Sequence, residues 1–209
     1  MAGGRRIVPV DGVGTGASGR ACLYVLPCAY EDHAKLGIAT DPLARMQAFS
    51  PRWYEFFDLD RAWLAEAGSV REARGWETRW KRALREHAAP PPLQVPGQAA
   101  GHTEWFRGAL ATLDTARGEL ATQGFVVHAP LRAWVVQRLQ AQRERLEAGE
   151  QAALAHYGAP DAWPAAVAWR PLAALRDALD AYAVLDVALD DAVSPALHAW
   201  LARNTLAPR

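Results

Sequence analysis

The sequence predicts an α+β protein: a small three-stranded antiparallel sheet flanked by helices, followed by an all-helical C-terminal domain. Two observations carry this. Short apolar runs with β-branched and aromatic content stand at 21–27 and 34–39, separated by a turn-like stretch at 28–33, and such a pair reads as a buried hairpin. From Pro130 onward the apolar residues recur at spacings of three and four, and no segment reads as a strand.

The elements follow in order. Residues 1–20 are rich in Gly and small polar residues and read as a flexible arm. After the hairpin, Thr40-Asp41-Pro42 opens a helix, with Thr40 or Asp41 as its cap and Pro42 in the first turn. That helix carries Leu43, Met46 and Phe49 and stops before Ser50-Pro51. The aromatic-rich stretch at 53–64 reads as a third strand with its connection. Ser69, with Glu72 three residues later, is a capping box. It starts a helix that runs to about residue 87 and is ended by Pro90-Pro91-Pro92. On this helix Ala73, Trp76, Trp80, Ala83, Leu84 and His87 share one stripe, with Glu77 at its edge. Residues 90–101 form a Pro/Gly linker, Thr103-Glu104-Trp105-Phe106 follows, and a short helix reaches about residue 122. Residues 131–157 read as one long helix with Gly149 as its weak point. Two further helices, 171–188 and 194–204, are each opened by a Pro or a Ser-Pro pair. The predicted organisation is therefore an arm at 1–20, a mixed domain at 21–125 and a helical accessory domain at 130–209.

Composition narrows the function. Hydrophobic residues make up 51% of the 209, ample for a core, which argues against an intrinsically disordered chain. Twenty-three basic residues balance 23 acidic ones, so the chain is not a globally basic nucleic-acid binder. Two cysteines support neither a disulfide scaffold nor a four-Cys zinc site. Cys22, Cys28 and His33 are neighbours in sequence but lack a fourth ligand. No apolar run is long enough to span a bilayer, and the N-terminus lacks the apolar stretch of a secretory signal. The expectation is a soluble cytoplasmic protein without a membrane partner. Gly14, Gly16 and Gly19 match a G-x-G-x-x-G spacing, but they lead into a strand rather than a helix, so they read as arm rather than dinucleotide site. Lys occurs only at Lys35 and Lys81; the other basic residues are Arg.

The informative residues lie between Cys22 and Phe106. Cys22-Leu23-Tyr24 sits on the first strand, Lys35-Leu36-Gly37 on the second, Arg45 eight residues after Gly37, Glu77 in the next long helix, and Glu104-Trp105-Phe106 closes the set. In this order and spacing the chain resembles the GIY-YIG nuclease superfamily. It is closest to the phage-type branch, whose second signature reads Lys-Ile-Gly and whose core ends in Glu-Trp-Phe. The resemblance implies a metal-dependent DNA endonuclease or nickase. In it Tyr24 would orient or deprotonate the attacking water and Arg45 would hold the scissile phosphate through its planar fork. Glu77 would ligate one Mg²⁺ or Mn²⁺. Lys35 would supply positive charge near the phosphate or lower the pKa of Tyr24. Arg71, Arg74, Arg79, Lys81, Arg82 and Arg85 on the Glu77 helix would meet the DNA backbone. The departures from the pattern are Cys22 for the first glycine, Lys35 for the second tyrosine, Lys81 where this branch often has a His, and no Asn in the motif region. Lys81, four residues after Glu77, reads as a helix salt-bridge partner able to neutralise the metal ligand. The alternative reading is therefore a GIY-YIG-fold protein that has lost the chemistry and binds nucleic acid or protein in a regulatory role. The apolar C-terminal helices point to a homodimer or a protein partner.

Overall fold

A computed structural model describes residues 21–99, 103–165, 169–189 and 193–207. The arm expected at 1–20, with its glycine motif, lies outside the described residues. The fold is α+β, but its antiparallel sheet has six strands, in the order β4-β5-β2-β1-β3-β6, and not three. β1 (Cys22–Pro27) and β2 (His33–Ala39) form the expected hairpin, with Tyr24 opposite Gly37 and Leu26 opposite Lys35. β3 (Trp63–Glu66) pairs with the other edge of β1. The remaining strands are too short to show alternation. β4 (Ala88–Ala89) and β5 (Trp105–Arg107) extend the sheet beyond β2, and β6 (Val127–His128) extends it beyond β3.

The segment at 53–64 is a strand only at its end. Its first residues form a one-turn helix, α2 (Trp53–Phe56), which follows α1 (Pro42–Phe49). Asp41 caps α1, accepting from the Ala44 N–H at 3.0 Å. Ser69 caps α3 (Val70–Ala83) by accepting from the Glu72 N–H at 3.1 Å. Glu72 reaches back to the Gly68 N–H at 2.7 Å, one residue earlier than a standard capping box. α4 (Leu110–Thr122) follows β5.

The predicted single helix at 131–157 is two helices, α5 (Leu131–Gln140) and α6 (Arg143–Tyr157). The break falls at Ala141-Gln142 and not at Gly149. There the Tyr182 hydroxyl donates to the Leu139 carbonyl, and the Gln142 N–H turns back to the same oxygen at 2.9 Å. Gly149 lies inside α6, where a Cβ would sit 3.1 Å from Leu175 Cδ1; its missing side chain lets α7 (Arg170–Val184) pack close. Ser194 caps α8 (Pro195–Asn204) through the Leu197 N–H at 3.1 Å.

Two apolar layers flank the sheet. Leu23, Val25, Leu36, Trp63 and Phe106 face α3 and α4 with Trp80, Leu84 and Leu113. On the opposite face Tyr24, Leu26, Leu64 and Trp105 belong to a core that includes α1 and continues into Leu131, Val135, Leu172, Leu179 and Trp200. Backbone bonds run across the same seam, from the Leu131 N–H to the Ala62 carbonyl at 2.9 Å and from the Arg132 N–H to the Leu59 carbonyl at 3.1 Å. Asp180, fully buried, accepts from Arg52 Nη1 at 3.2 Å, Thr205 Oγ1 at 2.6 Å and the Leu206 N–H at 3.0 Å, fastening the chain end to α2. No helix among the described residues is long and apolar enough to cross a membrane.

Candidate active site

The β1–β2 register puts Tyr24 and Lys35 on one face of the sheet, two residues apart along the ladder. Tyr24 is almost wholly buried, and its ring lies across Gly37: a Cβ there would stand 2.5 Å from the Tyr24 hydroxyl and 2.7 Å from Cζ. The space a side chain at position 37 would need is thus taken by the Tyr24 ring. Arg45 projects from α1 and shares a hydrogen bond with the Tyr24 hydroxyl. Its guanidinium sits 4.3 Å from the Phe49 ring centroid, one turn further along the same helix. Lys35 Nζ lies 5.8 Å from Phe49 and 5.9 Å from Trp105, whose rings meet edge to face. Tyr24, Arg45 and Lys35 are therefore held by packing against each other, Phe49 and Trp105 before any ligand arrives.

Glu104 immediately precedes β5 and is half-buried. Its Oε2 accepts from Lys35 Nζ at 2.9 Å, and its Oε1 accepts from Lys81 Nζ at 2.9 Å and Thr103 Oγ1 at 2.7 Å. Lys35 is 1% exposed, so this carboxylate is what makes a charged ammonium tolerable there. Glu77, one turn before Lys81 on α3, is half-buried and makes no hydrogen bond or ion pair with the described residues. The expected pairing of Glu77 with Lys81 is absent, because Lys81 is drawn to Glu104 instead.

The electrostatics follow from these contacts. Burial pushes the Tyr24 hydroxyl above its ordinary pKa, Arg45 opposes this by bond and charge, and the Glu77 and Glu104 carboxylates add to it. Tyr24 is a phenol at neutral pH, suited to orienting a water and not to deprotonating one. The cation that works against this rise is Arg45. Burial would raise Glu104, but bonds from Lys81, Lys35 and Thr103 win and hold it at about 2. Burial lowers Lys35 despite its bond to Glu104, whereas the same carboxylate raises the better-solvated Lys81. Burial raises Glu77, with the Lys81 charge opposing and Glu104 reinforcing.

Neither the protein-family models nor the curated proteins or solved structures contain a match to this chain. What the residues can do rests on their own chemistry.

Of the six basic residues expected at DNA, Arg71, Arg74, Arg82 and Arg85 are solvent-facing and carry no ion pair among the described residues. At about 100° per residue, Arg71, Arg74, Lys81 and Arg82 fall on one arc of α3 bordering Glu77. Arg79 turns away, bonded to Glu119 on α4 at 2.5 Å and stacked 4.8 Å from Trp80. Cys22 and Cys28 are free, buried thiols, pushed by burial up to about 11 and about 12. Among the described residues no three His, Cys, Asp or Glu side chains are grouped to hold a metal. A cation here would have one protein carboxylate, Glu77, and otherwise waters and substrate oxygens, a ligand set suited to Mg²⁺ or Mn²⁺ and not to zinc. An unpaired carboxylate raised by burial fits that role. Sequence reasoning missed Glu104 as the centre of the cluster: its partners are 69 and 23 residues away, and its one signal is its place before Trp105-Phe106.

Proposed function

We propose that the chain is a metal-dependent DNA endonuclease or nickase of GIY-YIG type, with residues 130–209 serving targeting or assembly. The observation that carries this reading is the gathering of Tyr24, Lys35, Arg45 and Glu77 from four separate elements into one cluster in which Glu77 makes no ion pair among the described residues. Arg45 presents a planar donor fork to the non-bridging phosphate oxygens while one of its donors fixes Tyr24. Tyr24 keeps its proton and aligns the nucleophilic water by hydrogen bonding, with its ring held against Gly37. Lys35 and Lys81, pinned by Glu104, hold positive charge where negative charge grows on the phosphate. A divalent cation on Glu77 would supply Lewis-acid stabilisation of that charge. The exposed arginines of α3 track the DNA backbone beside the cluster, giving binding that weakens with salt.

A supercoiled-plasmid nicking assay tests the proposal. The wild-type protein nicks in Mg²⁺ or Mn²⁺ and not in chelator, and Glu77→Ala lowers the rate by about 100-fold or more, since a catalytic cation contributes several kcal/mol. Salt-sensitive DNA binding by the wild type without cleavage in either metal overturns the enzyme reading in favour of a fold kept for binding alone.

A further inference from the structure

Lys81 is the departure that most threatens a nuclease reading, because a Lys four residues after a Glu on a helix is its natural ion-pair partner. Free to choose, Lys81 would neutralise the one carboxylate available to a cation. The distances show where it goes instead: Nζ is 2.9 Å from Glu104 Oε1, and Glu77 has no ion pair among the described residues.

We propose that Glu104 is a positioning residue that holds Lys81 off Glu77 and so keeps Glu77 open to a divalent cation. The inference rests on the reading of Glu77 as a cation ligand. Three features fit Glu104 to the task. Its two oxygens are divided, Oε2 to Lys35 and Oε1 to Lys81 and Thr103, so it holds both ammoniums at once. Lys35 is buried in the sheet and cannot leave, which anchors the carboxylate from one side. The Glu104 backbone is anchored as well, its carbonyl accepting from the Leu36 N–H at 3.1 Å. A carboxylate fixed this way offers Lys81 a better-ordered partner than Glu77 does. The outcome is a division of labour between two acids: Glu104 takes the lysines, and Glu77 is left under-neutralised beside them.

The experiment is a Mn²⁺ titration followed by the electron paramagnetic resonance signal of the free ion, which needs neither DNA nor turnover. The proteins are wild type, Glu77→Gln, Glu104→Gln, Lys81→Met and Glu104→Gln/Lys81→Met. The wild type binds one Mn²⁺, and Glu77→Gln does not; failure of either result sinks the cation reading itself. With that reading standing, Glu104→Gln weakens binding at least threefold. Lys81→Met changes affinity less than twofold when Glu104 is present and at least threefold when it is replaced. That non-additivity separates the clamp from a simple change of local charge, which would give Lys81→Met the same factor in both backgrounds. Equal factors, or a Glu104→Gln protein that binds as the wild type does, overturn the proposal. Should Glu104→Gln fail to fold around an orphaned Lys35, the pair is repeated with Lys35→Met added throughout, which removes the buried charge and leaves Lys81 to choose.

Discussion

Replacing Gly37 by Ala puts one methyl group where the Tyr24 ring already is. The added Cβ would lie 2.5 Å from Oη, 2.7 Å from Cζ and 3.2 Å from Cε2, against a carbon–carbon optimum of about 3.5–4.0 Å. The ring must retreat by about 1 Å to restore that spacing. Tyr24 is 2% exposed and packs in a layer with Leu26, Leu64 and Trp105, so it has no free space to enter. Overpacking of this kind costs about 1–3 kcal/mol, and the displaced hydroxyl forfeits its bond to Arg45, a further loss of about 1 kcal/mol. The expected destabilisation is about 2–4 kcal/mol, a fall in melting temperature of roughly 5–15 °C for a chain of this size. Urea unfolding measures it, with the midpoint lowered and the slope unchanged. The decisive comparison is the same substitution in a Tyr24→Ala background, where the ring that the methyl would meet is gone. There Gly37→Ala should cost less than about 1 kcal/mol, giving a coupling of at least about 1 kcal/mol between the two positions. An equal cost in both backgrounds would refute the steric argument.

Three other outcomes follow from charged groups. Glu104 is held at about 2 in the folded chain against an ordinary 4.5, so between those values the unfolded chain binds the additional proton. Its contribution, on the order of 3 kcal/mol, is whole above the ordinary carboxylate range and drains away as pH falls toward the folded value. Urea midpoints taken downward from pH 5 should therefore fall in the wild type and flatten in Glu104→Gln. Glu77, raised by burial, acts with the opposite sign, its contribution fading as pH rises past the ordinary range. Asp180→Ala removes the acceptor of three hydrogen bonds at a fully buried position, and should cost about 3 kcal/mol. Amide exchange at Leu206 should accelerate in step, and unchanged exchange there would show that something other than Asp180 holds the chain end.

The parts of this fold that the sequence made legible are those fixed by local chemistry. Asp41-Pro42, Ser69 and Ser194-Pro195 open helices through bonds to N–H groups three residues on, and β1 announces itself by being apolar on both faces. What stayed hidden depends on distant partners. β4 and β6, at two residues each, are strands only because β5 and β3 lie beside them. Trp53–Phe56 has strand-like composition but is a helical turn, with Trp53 and Tyr54 buried in the core that also holds residues of the helical half. The break before α6 is set by a tyrosine hydroxyl more than forty residues away, with no Gly or Pro to mark it. The site divides in the same way. Tyr24, Lys35, Arg45 and Glu77 are singled out by the resemblance that their order along the chain suggests, and the fold brings them near one another. The role of Glu104 could not be read this way, since its meaning lies in which lysines it reaches.

The core that joins the Tyr24 face of the sheet to α5–α8 bears on how such a chain can change over evolutionary time. A helical half spliced in at residue 130 from elsewhere would have to meet the Ala62 and Leu59 carbonyls, supply a cation for Asp60 and replace the acid that grips Arg52. A graft that missed these would leave Leu64 and Tyr24 against a loosened wall and spread that looseness to the Tyr24 hydroxyl and its bond to Arg45. Exchanging the helical half therefore means re-matching one shared interior, and not only rejoining the chain at residue 130.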